Sequence, residues 1–268
     1  MNNLKLKHNG VMFHQNVDIN KSILNYIGIR VLTIEKESKF EEELRDKEAC
    51  IVVIHGKADV KVGGQVFKNI GKRTKSFDKV STDSVYVTNG DNYLITTEDK
   101  CTVAIGYAKT SRKMNSQLIK AETIEIEDRG KGMNKRKVFN ILPDYNTISD
   151  KLIIVEVYTD EANWSSYPPH KHDTSISQKE TFLEEIYYHE IDKEGGFVFQ
   201  RVYTDDRTLD ETMSVYNRDA VLVPKGYHPV AVPYGYNSYY LNVMAGPEKK
   251  WLFTNEKSHE WIIERKDV

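Results

Sequence analysis

The sequence predicts an all-β protein built as a sandwich or barrel. Short runs rich in Val, Ile and Tyr recur along the chain, separated by Gly, Pro, Asp and Asn residues. The chain contains 16 Tyr and only 7 Pro, which favours strands over helices. Many short strands broken by turn residues are typical of sandwiches and barrels, so we expect this class.

The composition limits the classes of function that need to be considered. The chain has 268 residues and a formal net charge of -2, which gives no indication of a nucleic-acid partner. No apolar run approaches the roughly 20 residues of a membrane helix, and the first residues contain no apolar segment. Cys50 and Cys101 are too few for a disulfide framework. We therefore expect a cytoplasmic, soluble protein with neither membrane nor nucleic-acid partner.

The first half of the chain contains several strand signals. Ile27–Ile34 is rich in β-branched residues, and residues 51–54 are a continuous apolar run. Ala58–Val62 and residues 65–67 flank Gly63-Gly64, which predicts a hairpin. The charge-rich segment 36–48 is predicted as a solvated loop or short helix. Further strands are predicted over residues 84–88, 92–96 and 102–107.

The second half repeats this pattern of short strands. We predict them at residues 152–158, 186–188, 196–203, 220–223 and 238–243. Residues 261–263 are predicted as a short helix or strand packed against the core. The segment between the halves, residues 111–148, is polar and basic, and we expect it to be a crossover connection.

Histidine and glutamate residues in the second half indicate a metal site. His170 and His172 form an H-x-H pair, and alternate side chains of a strand point to the same side. Glu185 precedes an apolar run, and His228 follows the turn Pro224-x-Gly226. Three imidazoles and one carboxylate can hold a divalent transition metal. Glu184 is the alternative carboxylate, because only one of two adjacent residues can face inward.

Short echoes between the halves indicate a duplication. Residues 62–67 resemble residues 194–199, and residues 85–90 resemble residues 221–226. Under the second alignment His228 lies opposite Asn92, a poor ligand for a transition metal, and residues 30–50 contain no H-x-H. We therefore expect the first half to have the same fold without a metal site.

The motif resembles the cupin signature, with a longer spacing to the glutamate and the third histidine one residue early. Both departures, and much of the rest of the second half, resemble the 5-deoxyglucuronate isomerase family of bacterial myo-inositol catabolism. The matching runs are residues 167–173, 183–189, 196–207, 221–230 and 239–247. The resemblance implies two tandem cupin (jelly-roll) domains: a degenerate one at residues 1–110, a linker at 111–148, and a metal-binding one at 149–268.

The resemblance implies interconversion of 5-deoxyglucuronate and 5-dehydro-2-deoxygluconate with a divalent metal, namely zinc, manganese, iron or nickel. Glu184 and Glu190 are candidate bases and Tyr187 a candidate proton shuttle, while a hydride shift would need no carbon base. The carboxylate of the sugar-acid substrate requires a cation. The candidates are Arg201, Lys225, Arg129 and Arg136.

Two other functions are compatible with these residues. An Fe(II) dioxygenase would use the same ligands, and a non-catalytic sugar-acid-binding cupin would keep the fold without turnover. Oxygen consumption would identify the first, and binding without conversion of the ligand would identify the second. Cupins often pair through sheet edges, so a homo-oligomer is a further expectation.

Overall fold

The computed structural model describes residues 7–265, which form two compact units. Unit 1 comprises the described residues up to Glu125 together with Ile141–Ile154, and unit 2 comprises Ile126–Asn140 together with the described residues from Val155 onwards. The predicted linker 111–148 contains strands and contributes to both units. The division at residues 110 and 149 remains a prediction.

The strands of unit 1 form two sheets. They are β1 Lys7–His8, β2 Val11–Val17, β3 Ile27–Ile34, β4 Lys39–Glu43, β5 Lys47–His55, β6 Ala58–Val62, β7 Gln65–Ile70, β8 Ser84–Val87, β9 Asn92–Thr96, β10 Cys101–Lys109 and β11 Gln117–Ile119. One sheet has the order β1-β2-β3-β10-β5-β8-β11, and the other has the order β4-β9-β6-β7. Apolar side chains from both sheets, including those of Leu32, Ile51, Val60 and Ile95, form the core between them.

The remaining strands form three sheets. They are β12 Glu125–Arg129, β13 Arg136–Leu142, β14 Ile153–Thr159, β15 Trp164–Ser165, β16 His170–Lys171, β17 Glu184–Ile191, β18 Phe197–Tyr203, β19 Asp210–Tyr216, β20 Ala220–Val223, β21 Val230–Ala231, β22 Ser238–Ala245 and β23 Thr254–Asn255. Their orders are β12-β13-β14-β22-β17-β20, β15-β21-β18-β19 and β16-β23. Every residue of β17 and of β22 is buried.

Helical structure is limited to short segments. The 3-10 helices are Ser76–Asp78, Ala121–Thr123, Gly132–Asn134 and Lys257–His259, and α1 covers Trp261–Glu264. The prediction of an all-β fold is confirmed, and a short terminal helix forms as predicted. The predicted packing of this helix against the core is wrong, because Trp261 and Ile263 are exposed. Among residues 7–265, no helix has the length and apolar character required to cross a membrane.

The order of strands is repeated between the two halves. In the large sheets β2-β3-β10-β5-β8 corresponds to β13-β14-β22-β17-β20, and in the smaller sheets β4-β9-β6-β7 corresponds to β15-β21-β18-β19. The hairpins β6–β7 and β18–β19 hold the same place in each order. This repetition of strand order supports the duplication inferred from the short sequence echoes.

Several predicted elements of the first half are confirmed, and one is wrong. The strand at Ile27–Ile34 and the hairpin around Gly63-Gly64 form as predicted. The loop or short helix predicted over residues 36–48 is instead largely strand, because Lys39–Glu43 pairs with β9 along its whole length. Three adjacent glutamates have little intrinsic preference for a strand, and here pairing with the neighbouring strand overrides it.

Candidate metal centre

Three histidines from separate parts of unit 2 converge in its interior. One ring nitrogen from each of His170, His172 and His228 lies within 4.8 Å of the other two, and all three residues are buried. His170 begins β16 and His172 follows that strand, so the H-x-H pair lies on one side of an extended segment. His228 follows the turn between β20 and β21. The three imidazoles therefore meet as the sequence predicts.

Glu185 is the carboxylate that the fold brings to these histidines. Its Oε2 lies 3.0 Å from Nε2 of His172 and 3.1 Å from Nε2 of His228. Asn242 on β22 donates a hydrogen bond from Nδ2 to Oε1 of Glu185. Burial alone would raise the pKa of the Glu185 carboxyl, but His228 and His172 hold it well below its usual value. Glu185 is therefore a buried anion beside the imidazoles.

Backbone carbonyls fix the tautomers of two of the rings. Nδ1 of His172 donates to the Leu183 carbonyl at 2.9 Å, and Nδ1 of His228 donates to the Gly226 carbonyl at 2.9 Å. Each of these rings therefore presents Nε2 to the centre, as ligating histidines with a carbonyl partner commonly do.

The donor set fits a divalent transition metal. Nε2 of His228 is buried and, among the described residues, has no partner with hydrogen-bond geometry, although Glu185 is close. Burial lowers the pKa of His170, and His228 and His172 lower it further, so this ring is neutral. Burial also opposes protonation of His172, yet contact with Glu185 raises its pKa. The carboxylate thus favours positive charge at the point where the histidines meet.

A set of polar contacts joins the H-x-H segment to the turn that carries His228. Oδ2 of Asp173 accepts a hydrogen bond from the Gly226 amide at 2.9 Å. The Lys171 ammonium lies 3.2 Å from Asp173 and 2.6 Å from Asp205. Gly226 has φ +93, and a Cβ there would lie 2.4 Å from the Tyr203 carbonyl oxygen, so the turn requires glycine. These contacts hold the two histidine-bearing segments together.

Alternation along β17 separates its functional candidates into two groups. The ring of Tyr187 lies 5.8 Å from that of His228, and its hydroxyl lies 2.8 Å from Oγ of Ser166. Glu184 and Glu190 lie an odd number of positions from Glu185 and project to the opposite face of the sheet. The hydroxyl of Tyr188, also on that face, donates to Oε1 of Glu190 at 2.9 Å. The structure therefore does not bring Glu184 or Glu190 to the histidines.

Arg136 is the candidate cation that the structure couples to the centre. Its half-buried guanidinium donates to the carbonyls of Asn134 at 3.0 Å and Tyr167 at 3.3 Å. Burial lowers the pKa of Arg136, and its charge contributes to the lowered pKa of His170. The guanidinium is thus close enough to the histidines to act on them electrostatically.

The other three predicted cations are engaged elsewhere or exposed. Arg129 pairs with Glu127 at 2.6 Å and lies over the ring of Trp251. Arg201 makes two hydrogen bonds of 2.7 Å to Asp210, and Lys225 is exposed.

Three residues near the centre were absent from the sequence prediction. Asn242 binds the oxygen of Glu185 that faces away from the histidines, and Ser166 contacts Tyr187. The ring of Phe253 packs 4.6 Å from that of His170. Asn242 lies within residues 239–247, a run that resembles the isomerase family, and this resemblance could have identified it as a candidate site residue. Nothing in the local sequence indicates a role for Ser166 or Phe253.

The repeated two-sheet architecture and the buried three-histidine, one-carboxylate group define a cupin with a candidate metal centre. The KduI/IolB family model matches residues 2–262. This chain belongs to the KduI/IolB family.

Named relatives and solved structures agree with this assignment. The chain is 52% identical over 257 residues to 5-deoxy-glucuronate isomerases from Listeria monocytogenes serotype 4b and Bacillus subtilis strain 168, covering 96% of this chain and 94% and 95% of theirs. An IolB-like protein from Salmonella typhimurium LT2 superposes with a TM-score of 0.90 at 44% identity, covering 92% of this chain and 94% of that one. A Bacillus subtilis oxalate decarboxylase mutant superposes with a TM-score of 0.65 at 11% identity, covering 93% of this chain and 76% of that one. This similarity shows likeness of fold alone.

Proposed function

We propose that this protein is a metal-dependent aldose–ketose isomerase that interconverts 5-deoxy-D-glucuronate and 5-dehydro-2-deoxy-D-gluconate in myo-inositol catabolism. The observation that supports it best is the convergence of His170, His172 and His228 on Glu185. The relatives that share half of its residues over nearly the whole chain are named 5-deoxy-glucuronate isomerases.

The four converging residues would hold the metal. His170, His172 and His228 supply nitrogen donors, and Glu185 supplies one carboxylate. A zinc, manganese, iron or nickel ion bound there supplies Lewis acidity that stabilises negative charge on the substrate oxygens. Asn242 orients Glu185 from behind, and the Leu183 and Gly226 carbonyls orient His172 and His228. Such supporting contacts tune metal affinity as well as geometry.

Arg136 would bind the carboxylate of the sugar acid. Among residues 7–265 its guanidinium pairs with no carboxylate, in contrast to Arg129 and Arg201, which each already hold one. It is half-buried, so an ion pair formed there is less screened by water than one at the surface. A planar guanidinium can also bind both oxygens of a carboxylate and thereby orient the sugar.

Tyr187 would move a proton between substrate oxygens. The reaction converts the C1 aldehyde to an alcohol and the C2 alcohol to a ketone, so the C2 oxygen loses a proton and the C1 oxygen gains one. Burial and the charge of Glu185 raise the pKa of Tyr187, which therefore keeps its O–H as a donor. The hydroxyl of Ser166, 2.8 Å away, can exchange a proton with it.

The reaction also moves the hydrogen bound to C2 of the substrate to C1. Glu184 and Glu190, the candidate bases, lie on the opposite face of β17 from Glu185. We therefore favour direct transfer of hydrogen from C2 to C1, which needs no carboxylate base near the substrate carbon.

NMR with 5-deoxyglucuronate and the purified protein tests the proposal. We expect conversion to the ketose to stop when EDTA removes the metal and to resume when a divalent transition metal is added back. Absence of conversion by fully metallated protein would overturn the assigned substrate. Conversion that continues after complete metal removal would overturn metal dependence.

A further inference from the structure

We propose that unit 1 contains a second binding site, for a small hydroxylated anion, that is separate from the metal centre. A cavity of about 270 Å³ lies beside Tyr107 on β10, and Arg30, Arg45, Lys47 and Lys109 line it. Its volume is near the lower end of the range for small-molecule sites, about 300 Å³. A ligand of sugar-acid or sugar-phosphate size suits such a space.

One half-buried carboxylate, that of Glu42, holds two of these cations in place. Oε1 of Glu42 lies 2.8 Å from Nη1 of Arg30 and 2.8 Å from Nζ of Lys47. Oε2 accepts hydrogen bonds from the hydroxyls of Tyr93 at 2.7 Å and Tyr107 at 2.6 Å. Four donors therefore satisfy both oxygens of Glu42. One negative charge shared by two cations leaves Arg30 and Lys47 with an excess of positive charge.

A third cation adds to this excess. Lys109 lies directly opposite Lys47 in the antiparallel pairing of β10 with β5, and directly opposed side chains project to the same face. Like charges in that arrangement destabilise a sheet. Among residues 7–265, Nζ of Lys109 has no hydrogen-bond or ion-pair partner, and neither has Nη2 of Arg30. An anion between Lys47 and Lys109 would remove the repulsion.

The carboxylates around the cavity do not fill that position. Asp18 lines the cavity, but its Oδ1 accepts a hydrogen bond from the Asn20 amide of its own turn at 2.9 Å. Asp46 is exposed, and Glu43 pairs with the exposed Arg45 at 2.8 Å. Exposed pairs of this kind are weak and screened.

The ligand follows from the chemistry of the lining. Arginine and lysine bind carboxylate or phosphate oxygens through charge-assisted hydrogen bonds. The exposed Asn20 side of the cavity is polar and suits the hydroxyl groups of a sugar. Sugar acids and sugar phosphates share this chemistry, and the test must separate them.

Isothermal titration calorimetry of the metal-loaded, full-length protein tests the site with D-glucuronate, inorganic phosphate and uncharged glucose. We expect saturable binding of at least one anion and none of glucose. Lys109→Met should weaken anion binding about tenfold, the typical worth of one charge-assisted hydrogen bond. Lys109 is exposed, so this variant keeps the fold. Lys68→Met, which removes an exposed lysine of β7, is the matched control and should change nothing.

Thermal unfolding of the parent and of Lys109→Met, with and without anion, gives a second test of the site. Without anion, Lys109→Met should unfold at a higher temperature than the parent, because the repulsion with Lys47 is gone. At the same concentration, added anion should stabilise the parent more than the variant. Preferential binding of glucuronate would identify a sugar-acid site, and preferential binding of phosphate would identify a phosphate-ester site.

Arg136→Met separates this site from the one proposed for catalysis. Anion binding that survives Arg136→Met and is lost in Lys47→Met/Lys109→Met supports the second site, whether or not the isomerase assignment holds. Binding that disappears in Arg136→Met but persists in the double lysine variant would place the anion in unit 2 and overturn the proposal. Equal binding of glucose, or no saturable binding of either anion, would overturn it as well.

Discussion

The two halves of this chain share an order of strands but differ in what lies at corresponding positions. In unit 2 Glu185 pairs with Val223 on one side and Met244 on the other. In unit 1 the residue with the corresponding partners, Val87 and Tyr107, is Ala49. An alanine methyl thus stands in unit 1 where unit 2 has the carboxylate of its candidate metal centre.

The strands that precede these positions differ as well. The inward-facing residues of β4 in unit 1 are Phe40 and Glu42, and no histidine occurs in that strand. Asn92, aligned with His228 by sequence, is exposed, and its neighbour Tyr93 is buried and bonded to Glu42. The same order of strands therefore supports either a buried group of histidines and a carboxylate or a hydrogen-bonded ionic cluster. Activity in such a fold depends on a few side chains rather than on the architecture.

The largest effect should come from replacing His228, and the matched change in unit 1 should have none. His228→Ala removes one of the three proposed nitrogen donors. We expect loss of bound metal and more than about a hundredfold loss of activity, since even outer contacts of metal sites are worth 10–100-fold. Asn92→Ala, at the aligned position of unit 1, should keep both. Metal analysis by mass spectrometry and NMR of turnover measure the two properties. Equal loss in Asn92→Ala would contradict the comparison.

Arg136→Met should have the next largest effect. Loss of the proposed ion pair with the substrate carboxylate should lower kcat/KM about 10–100-fold, the worth of one or two charged hydrogen bonds. Metal content should not change, because Arg136 is not one of the four proposed donors and its guanidinium binds backbone carbonyls. Arg201→Met is the control, since Arg201 is partly exposed and pairs with Asp210. Similar kinetics in Arg136→Met and Arg201→Met would show that the carboxylate binds elsewhere.

Asp173→Ala tests whether the contact between the two ligand-bearing segments matters. Without the hydrogen bond from the Gly226 amide to Asp173, the turn before His228 is no longer tied to the segment that contains His172. We expect metal affinity to fall about tenfold, at the lower end of the range for outer contacts. Asp173→Asn keeps an oxygen that can accept from the amide and should restore most of the affinity. Competition with a chelator measures this directly, and unchanged affinity in Asp173→Ala would leave the contact without a role in metal binding.

The smallest effect concerns the ionic cluster of unit 1. Burial opposes ionisation of Glu42, but Lys47, Tyr107 and Tyr93 hold its pKa below the ordinary glutamate value of 4.5. A lowered pKa in the folded state stabilises the protein above pH 4.5, and this stabilisation is lost as the pH falls through the folded-state pKa. Glu42→Gln should therefore cost about 1–2 kcal/mol near neutral pH and progressively less in acid. Urea unfolding of both proteins across this pH range gives the difference, and a constant difference would contradict the assigned ionisation.

The features that the sequence predicts well are those with a local signal. The strand at Ile27–Ile34 and the hairpin around Gly63-Gly64 depend on β-branched residues and turn residues that are visible in a few positions. Three histidines and a glutamate could be grouped because their residue types and spacing are restrictive. The alternation of β17 was visible too, and it places Glu184 and Glu190 away from Glu185.

Other features depend on contacts between distant parts of the chain. The strand β4 forms through pairing with β9, about fifty residues later, against the preference of its own residues. Arg136 differs from Arg129 and Arg201 only in its surroundings, because the latter two have nearby carboxylate partners. Residues 126–140 belong to unit 2, although residues 141–154, which follow them, belong to unit 1. No shift in composition along the sequence indicates this alternation between the units.

The short strand that begins with His170 has its partner near the end of the chain. His170 pairs with Asn255, Lys171 pairs with Thr254, and the ring of Phe253 packs on that of His170. During synthesis the ribosome must therefore release residues 253–255 before this strand can pair. His170 and His172, the proposed ligand pair, are translated about eighty residues earlier, so the candidate centre cannot reach its final form until residues 253–255 have emerged. Metal capture at this centre is thus expected to follow the synthesis of residues 253–255.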